Sequence, residues 1–579
     1  MRVKKFCTDN FDAIVAVVIV AFLAIFTFVR YDLIYYNDDA MLSDIFSGAF
    51  SGNPSVMNNQ MLYPISIVIA AVYRILPDIA WFELFLIVCQ FFSIALIINR
   101  ILHNIEKIKW KLSAAVVSAA FIAAFLLEHL VFITYTVTSG MLVCAAVFLF
   151  ATDDSTDGKK LVKNSVGYIA LYIIALCIRS ELAEMLLPFV CLAGAYRWSM
   201  EEKIFTADNA KKYCGIFGVL IVAALLCFFA DNRAYSSPQW QDFRSFFNDR
   251  TTLYDYTGIP SYSENEAFYK ANGITEEQFM LLRSYNYILD EEIDSNMLST
   301  LADYAESIGP GLTQKLKRAI GAYRIQITDY FGTPYHSLVI LGYIALLLAV
   351  FQNGRMRAVL YAGVPFFTRT VIWLYILGQG RTPDRITHPL YWAEFIMILA
   401  VVINEKKYTH QGNKNTKGIF MLIGGFVLSA LFSQPHISQL NAKYDTALVK
   451  AEKYQTVVDY CLENDDNFYM MPVLSVPLYP EKVNNAGSQM SNFCLMGGWY
   501  THNPLHYQKL EKYGIDNVQT AVAEKDNVYL IQDKGYVSDE TAYPFEWLVR
   551  YYESKGIAVE VHEVNNIIDD VFVYKVSKI

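Results

Sequence analysis

The chain has 579 residues, of which 54% are hydrophobic and only 18% are charged. Soluble domains carry about 25% charged residues, so a cytosolic enzyme, a disordered chain and a secreted disulfide scaffold are excluded. The formal net charge of −9 argues against a nucleic-acid partner.

Apolar blocks follow one another along the chain, at residues 13–29, 62–76, 80–99, 113–131, 139–151, 165–178, 183–196, 213–230, 335–351, 358–378, 388–404 and 418–434. Most are long enough to cross a hydrocarbon core of about 30 Å. Lys and Arg clusters mark the cytoplasmic loops of membrane proteins. In this chain all the clusters lie on the cytoplasmic side of the membrane only if one of the early apolar blocks does not cross it.

The block at 62–76 is the one that we expect not to cross the membrane. It offers roughly 22 Å of helix, opens with Tyr63-Pro64, holds Arg74 and stops at Pro77. We predict an interfacial helix on the outer face of the membrane. Eleven spans remain, in a multi-pass plasma-membrane protein with a cytoplasmic N-terminus and an extracytoplasmic C-terminus.

The predicted fold is a polytopic α-helical membrane protein with a small C-terminal α/β domain. Residues 1–434 form the membrane domain, with outer loops at 30–79 and 231–332, and residues 435–579 form the extracytoplasmic domain. A loop helix is expected near 275–290. In the tail, periodicity predicts helices near 441–463 and 543–555 and strands at Ala558–Val564 and Val571–Val576, and apolar runs lie at Phe468–Ser475 and Val528–Gln532. Whether Cys461 and Cys494 pair is left open.

Two adjacent acidic residues, Asp38 and Asp39, follow the first span directly. Neighbouring carboxylates raise one another's pKa, which suits a general base, and they could also hold a divalent cation such as Mg²⁺ or Mn²⁺. The alternative is a helix cap, in which one of them binds the free N–H groups of the helix that follows. Both roles are compatible.

Arginines give the second signal. Arg369 lies within an apolar block, where an ionisable group is costly and by default functional, and Arg179, Arg381 and Arg385 lie in predicted outer turns. Guanidinium groups around a carboxylate pair can bind a phosphate or pyrophosphate bidentately. Alternatively, each anchors at lipid headgroups or pairs with a local acid.

A third pattern is formed by His502 and His506, which have the i, i+4 spacing of metal ligands on a helix. The proline at position 504 and the lack of an acidic third ligand favour a structural role.

The order Asp38-Asp39, Leu62-Tyr63-Pro64 and Trp81-Phe82-Glu83 resembles the GT-C superfamily of membrane glycosyltransferases, which use polyprenyl-phosphate-linked sugars. The stretches Asn37-Asp38-Asp39, Leu253-Tyr254-Asp255-Tyr256 and Gly497-Gly498-Trp499 also look like a group of membrane proteins of anaerobic, Clostridia-like Gram-positive bacteria.

The GT-C resemblance implies hexosyl transfer, with inversion, from a polyprenyl phosphate to a surface glycan, lipid or protein acceptor on the outer face. Asp38 and Asp39 would be catalytic and would hold any Mg²⁺ or Mn²⁺. The substrate-binding residues would be Asn37, Tyr63, Arg179, Arg369, Arg381 and Arg385. The implied partners are the polyprenyl-phosphate sugar, the acceptor and membrane lipids.

Two other functions fit the same sequence. A surface-polysaccharide polymerase or ligase would share the many spans but rely on arginines in large loops, so that the acidic pair is dispensable. A non-enzymatic flippase or assembly subunit would bind partners through the 231–332 loop and the tail. The sequence identifies neither the sugar nor the acceptor.

Overall fold

The computed structural model describes residues 10–35, 38–155, 157–328, 334–350, 355–408, 424, 434–474, 480–483, 490–536 and 545–579. Long apolar helices form a bundle, and polar segments gather at one end of it. The chain is a polytopic α-helical membrane protein with a small C-terminal α/β region.

The first half of the chain contains most of the bundle. Its elements are α1 (Phe11–Arg30), β1 (Ile34–Tyr35), α2 (Asp38–Ser47), α3 (Tyr63–Ile75), α4 (Trp81–His103), α5 (Ile108–Phe125), α6 (Leu127–Val131), β2 (Phe132–Ile133), α7 (Tyr135–Ala151), α8 (Gly158–Ile178), α9 (Ser180–Ser199) and α10 (Ala207–Ala234).

A helical insertion follows, and the chain then returns to the bundle. The elements are α11 (Pro238–Thr251), a π-helical turn (Thr252–Thr257), α12 (Glu266–Ala271), α13 (Glu276–Arg283), a 3-10 turn (Tyr287–Leu289), α14 (Ser295–Ile308), α15 (Leu312–Thr328), α16 (Pro334–Val350), α17 (Arg355–Gln379) and α18 (Asp384–Tyr408).

The tail begins with a long helix and alternates strands with short helices. Its elements are α19 (Gln434–Glu463), β3 (Phe468–Met471), β4 (Glu481–Lys482), β5 (Phe493–Leu495), α20 (Pro504–Lys512), α21 (Val518–Glu524), β6 (Val528–Asp533), α22 (Glu546–Ser554), β7 (Val559–Ile568) and β8 (Val571–Lys578). The two predicted helices and the two predicted strands, β7 and β8, are present, and the two apolar runs contain β3 and β6. The elements β4, β5, α20 and α21 were not predicted.

Seven helices in the described part of the chain are long and apolar enough to cross a membrane: Phe11–Arg30, Trp81–His103, Ile108–Phe125, Gly158–Ile178, Ala207–Ala234, Val359–Gln379 and Asp384–Asn404. They account for seven of the eleven predicted spans. The predicted spans at 139–151 and 335–351 are shorter apolar helices, and α9 is 20 residues long but carries Glu181, Glu184 and Arg197.

Two predictions about the membrane part stay open. The predicted last span, 418–434, falls almost entirely outside the described residues. The segment predicted to lie in the interface forms a 13-residue helix, α3, with Pro64 in its first turn, but its depth in the membrane stays a prediction.

Helix α7 lies at the centre of the bundle, with every residue buried except Phe150. It packs closely against α18 because Gly140 has no side chain: a Cβ there would lie 2.5 Å from the Cβ of Pro389. Small residues permit such close helix approach in membranes. This contact sets the first turn of α18 beside the start of α7.

The helical insertion and the tail share one hydrophobic core. The insertion contributes side chains such as Leu253, Leu282 and Leu301, and the tail contributes Met470 and Leu530, among others. The boundaries 1–434 and 435–579 stay a prediction, but the tail does not bury its apolar surface alone.

The Gly497-Gly498 pair explains how the two parts approach one another. A Cβ at Gly497 would lie 1.7 Å from the carbonyl oxygen of Tyr285, so only glycine fits. The Tyr287 hydroxyl donates to the Gly498 carbonyl at 2.6 Å and accepts from its N–H at 2.9 Å. This motif therefore has a packing role.

The tail strands form a five-stranded sheet of order β5-β3-β6-β8-β7. Strand β3 pairs parallel with β5 and β6, while β8 pairs antiparallel with β6 and β7. Cys461 and Cys494 are buried free thiols.

Candidate functional site

The acidic pair is placed by a short parallel strand pairing. Strand β1 pairs in parallel with β2, with Ile34 opposite Phe132 and Tyr35 opposite Ile133. Each strand leads within three residues into a helix, so the N-termini of α2 and α7 lie side by side. The N–H of Tyr135, at the start of α7, thereby faces Asp39 of α2.

Asp39 is completely buried and caps a helix other than its own. Its Oδ1 accepts a hydrogen bond from the N–H of Tyr135, the first residue of α7, at 2.7 Å. The other carboxylate oxygen, Oδ2, is buried and has no hydrogen-bond partner among the described residues. This hydrogen bond is made to the start of α7 and uses only one of the two oxygens, while the cap predicted on the helix that follows the acidic pair stays a prediction.

The surroundings of Asp39 make it a stronger base than an ordinary carboxylate. Burial raises its pKa well above the usual value, and the N–H of Tyr135 lowers it in part. The negative charge of Asp38 raises this pKa further, whereas the guanidinium groups of Arg385 and Arg179 lower it. These four charged groups therefore lie close enough to interact.

Asp38 is the accessible member of the pair, with 23% of its side chain exposed. Its Oδ2 lies 3.4 Å from Nη1 of Arg385, in the first turn of α18. Arg385 thus pairs across the bundle with Asp38 and not with its neighbour Asp384, because the close α7–α18 contact brings the start of α18 to α2.

Arg179, between α8 and α9, completes the other side of the site. Its Nη1 donates to the Tyr135 hydroxyl at 2.8 Å and to Oε1 of Gln60, and its Nε lies 3.1 Å from Glu181. Tyr135 therefore connects the two halves of the site: its backbone binds Asp39 and its side chain binds Arg179.

Arg381 lies at the rim, paired with Asp255 at 2.6 Å. Asp255 belongs to the π-helical turn, and the next residue, Tyr256, interacts electrostatically with both Arg381 and Arg179. Tyr256 is 53% exposed, whereas Leu253 is buried in the core that the insertion shares with the tail.

The structure brings Asp38, Asp39, Arg179 and Arg385 together, and Arg381 pairs with Asp255. The N–H of Tyr63 donates to Asp231 at 2.9 Å, and a role of Tyr63 in binding substrate stays a prediction. Asn37 lies outside the described residues.

Arg369 has its own partner deep in the bundle. Its Nε lies 3.0 Å from Oε2 of Glu394, whose Oε1 accepts a hydrogen bond from Tyr343 at 2.8 Å. The two charged side chains are 4% and 0% exposed. A buried ion pair of this kind joins α17 to α18, and the predicted role of Arg369 in binding substrate stays a prediction.

Replacing Arg369 with Ala is expected to cost about 3–5 kcal/mol of folding free energy, because it leaves the buried Glu394 carboxylate unpaired. Arg30→Ala, at the exposed end of α1, should change stability by less than about 0.5 kcal/mol. Thermal unfolding in detergent compares them. Equal melting temperatures would show that the ion pair contributes nothing, and the double variant R369L/E394L should recover most of any loss.

Metal binding by the acidic pair stays a prediction. Within the described residues, no group of three or more His, Cys, Asp or Glu side chains is gathered around one point. Arg385 already faces one oxygen of Asp38. A Mg²⁺ ion held by one or two carboxylates together with substrate phosphates would still suit this site.

His502 and His506 lie on either side of the start of helix α20. Oδ1 of Asn503 accepts from the N–H of His506 at 2.9 Å and so caps α20. Burial lowers the pKa of His502 to about 4 and that of His506 to about 3, so both rings are neutral. This geometry agrees with a structural role.

An apolar groove runs inside the bundle below the site. It is lined by side chains of α4, α5, α7 and α18, including Ile94, Ile98, Phe121, Met141, Phe395 and Leu399. Of the groove-lining residues on α18, Trp392 is the nearest to Arg385, about 10 Å away along the helix. Two histidines stand between them: Nε2 of His129 lies 2.7 Å from Nδ1 of His388.

No family model matches the sequence, and no curated protein sequence is significantly similar to it. Among solved structures, the chain is similar to the crystal structure of ArnT from Cupriavidus metallidurans bound to undecaprenyl phosphate. The two chains are 12% identical, the alignment covers 97% of each, and the TM-score is 0.39. A likeness at this level establishes neither a common fold nor a common activity, so the function has to be inferred from the residues of this chain.

Proposed function

We propose that this chain is a membrane glycosyltransferase that moves a sugar from a polyprenyl-phosphate carrier to an acceptor at the cell surface. The observation that best supports this is Oδ2 of Asp39, which is buried beside the Asp38–Arg385 pair and has no hydrogen-bond partner in the part of the chain that the structure describes. Leaving a carboxylate oxygen buried without a hydrogen bond is costly. Such a group requires an explanation, and acid–base chemistry supplies one.

In this proposal Asp39 is the general base. It takes the proton of an acceptor hydroxyl while the acceptor oxygen bonds to the anomeric carbon and the bond from that carbon to the carrier phosphate breaks. Burial raises the pKa of Asp39 and so brings that pKa closer to the working pH, where a general base is most effective. Because Oδ2 is closed to solvent, the hydroxyl must approach past Asp38, the exposed member of the pair.

The arginines serve the leaving group. The carrier phosphate departs with the electron pair of the broken bond, and positive charge fixed beside it lowers the barrier. Arg385 and Arg179 flank the carboxylates, and Arg381 stands at the rim. Guanidinium groups bind phosphate oxygens bidentately, and Tyr135 and Gln60 fix the orientation of Arg179.

The groove supports a lipid-linked donor. A polyprenyl chain is wholly apolar, and the groove presents apolar side chains of four helices. A chain lying there would place its phosphate at the end of the bundle where Arg385 and Asp38 lie.

A deletion strain tests the proposal whichever donor and acceptor the protein uses. Mass analysis of surface glycans, lipids and proteins should show the loss of one sugar addition. The wild-type gene should restore it, and a D39N gene expressed to the same level should not. An unchanged surface in the deletion strain would count against any transferase activity.

The topology prediction can be tested separately. Because the basic loop clusters fix one side of the membrane, a reporter fused after Ile579 should be active only outside the cytoplasm, and one fused near Lys107 only inside. A fusion at Pro77 should report the outside. A cytoplasmic signal there would mean that α3 crosses the membrane and that the predicted span count is too low.

A further inference from the structure

The tail adds a strand to the small sheet that carries the acidic pair. Strand β4 pairs antiparallel with β1, on the opposite side of β1 from β2. Beyond β4, the N–H of Val483 donates to the carbonyl of Leu33 at 2.8 Å. Since β1 ends three residues before Asp38, this pairing helps to set where α2 begins.

The first helix of the tail, α19, holds the same segment from another direction. The Tyr444 hydroxyl accepts a hydrogen bond from the N–H of Asp32 at 2.9 Å. The Tyr31 hydroxyl donates to Oδ1 of Asn441 at 2.8 Å. Side chains of α19, β1 and β2 bury one another in a common apolar cluster.

A third contact lies beyond the end of α2. The N–H of Ser491 donates to the carbonyl of Ala49 at 2.9 Å. Nζ of Lys509, a residue only 1% exposed, donates to the Ser491 hydroxyl at 2.6 Å and lies 5.0 Å from the ring centre of Phe50. A buried ammonium group held in this way fixes the chain that leaves α2.

The tail therefore contacts the chain on both sides of α2, before Asp38 and after Ser47. We propose that the C-terminal region is a positioning element for the acidic pair, acting through β4 and α19 on β1. It keeps the start of α2 against α7, so that Asp39 stays bonded to the N–H of Tyr135. This inference rests on the proposed function only where Asp39 is taken as the base.

The test removes one backbone hydrogen bond. Proline has no N–H, so Val483→Pro cannot donate to Leu33, whereas Val483→Ala can. In the full chain in lipid nanodiscs, V483P should raise the hydrogen-exchange rate of the Tyr135 amide by about tenfold or more. V483A should keep the wild-type exchange rate.

A second variant keeps the test valid if V483P does not fold. Tyr444→Phe removes the hydroxyl that accepts from the N–H of Asp32 and leaves the ring in place. It should speed exchange of the Tyr135 amide in the same direction by a smaller factor.

The kinetic readout separates positioning from general damage. In V483P, kcat for sugar transfer should fall about tenfold because the base is misplaced. The KM for the polyprenyl-phosphate sugar should stay within about twofold of the wild-type value. The acid limb of the pH–rate profile should move to lower pH, because water that reaches Asp39 weakens the burial that raises its pKa.

Wild-type exchange of the Tyr135 amide in both V483P and Y444F would overturn the positioning role. Faster exchange with unchanged transfer would leave the positioning role standing and count against Asp39 as the base. The two failures are therefore distinguishable.

Discussion

Replacing Asp39 with Asn is expected to abolish sugar transfer and to leave the fold intact. The amide oxygen of asparagine can accept the hydrogen bond from the N–H of Tyr135 as Oδ1 does, so the cap on α7 is kept. What is lost is Oδ2 as a proton acceptor. Loss of a general base lowers rates by about 10² to 10⁴.

Stability should move differently from activity in this variant. Burial raises the pKa of Asp39 in the folded chain above its unfolded value. The stabilisation from such a group is present at low pH and is lost as the pH rises through the folded pKa, so the ionised form destabilises the fold at higher pH. A neutral amide avoids this cost, and the melting temperature of D39N at high pH should equal or exceed that of the wild type.

The measurement is release of polyprenyl phosphate by purified protein in lipid, recorded beside a melting curve. Asp78→Asn, which changes an exposed carboxylate just before α4, is the matched control. Transfer in D39N at the rate of D78N would reduce Asp39 to a cap. A polymerase or ligase that relies on loop arginines, or a non-enzymatic subunit, would then describe the chain better.

The acidic pair could be predicted from the sequence because two adjacent carboxylates directly after an apolar span suit a general base or a cation site. Its helix cap could be predicted only in part. Local pattern assigns a cap to the nearest helix, and Asp39 instead caps α7, because the β1–β2 pairing brings together two helix starts that are distant in the chain.

Gln60 and Tyr135 could not be predicted as site residues, since neither carries a charge. The contact of Tyr135 with Arg179 depends on how α7 and α8 pack, and that of Gln60 depends on where the segment before α3 lies. In the same way, the ion pair of Arg369 requires that α17 and α18 be adjacent. The cost of a charge within an apolar block predicts that Arg369 needs a partner, but it does not indicate which residue that partner is.

Strand β4 shows a second limit. Periodicity identified the longer tail strands, whose alternation extends over several residues. A two-residue strand has no period to detect, and β4 pairs with β1 only because the tail folds back onto the start of the chain. The link from the tail to the acidic pair is therefore a property of the tertiary structure alone.

The acid limb of the pH–rate profile is expected to move in opposite directions in Asp38→Asn and Arg385→Gln. Asp39 must be ionised to accept a proton, so kcat/KM falls as the pH drops through its pKa in the free enzyme. The charge of Asp38 raises that pKa, and the charge of Arg385 lowers it. D38N should therefore shift the limb to lower pH, and R385Q should shift it to higher pH.

R385Q should in addition lower the maximal rate by about 10² or more, because the leaving phosphate loses a fixed positive charge. The profile is measured from about pH 4 to pH 9. Arg30→Gln, which removes an exposed guanidinium at the end of α1, should leave both the limb and the rate unchanged. A shift in the same direction for D38N and R385Q, or no shift in either, would mean that the titrating group is not Asp39, because a carboxylate that lies beside these two charges must respond to them with opposite signs.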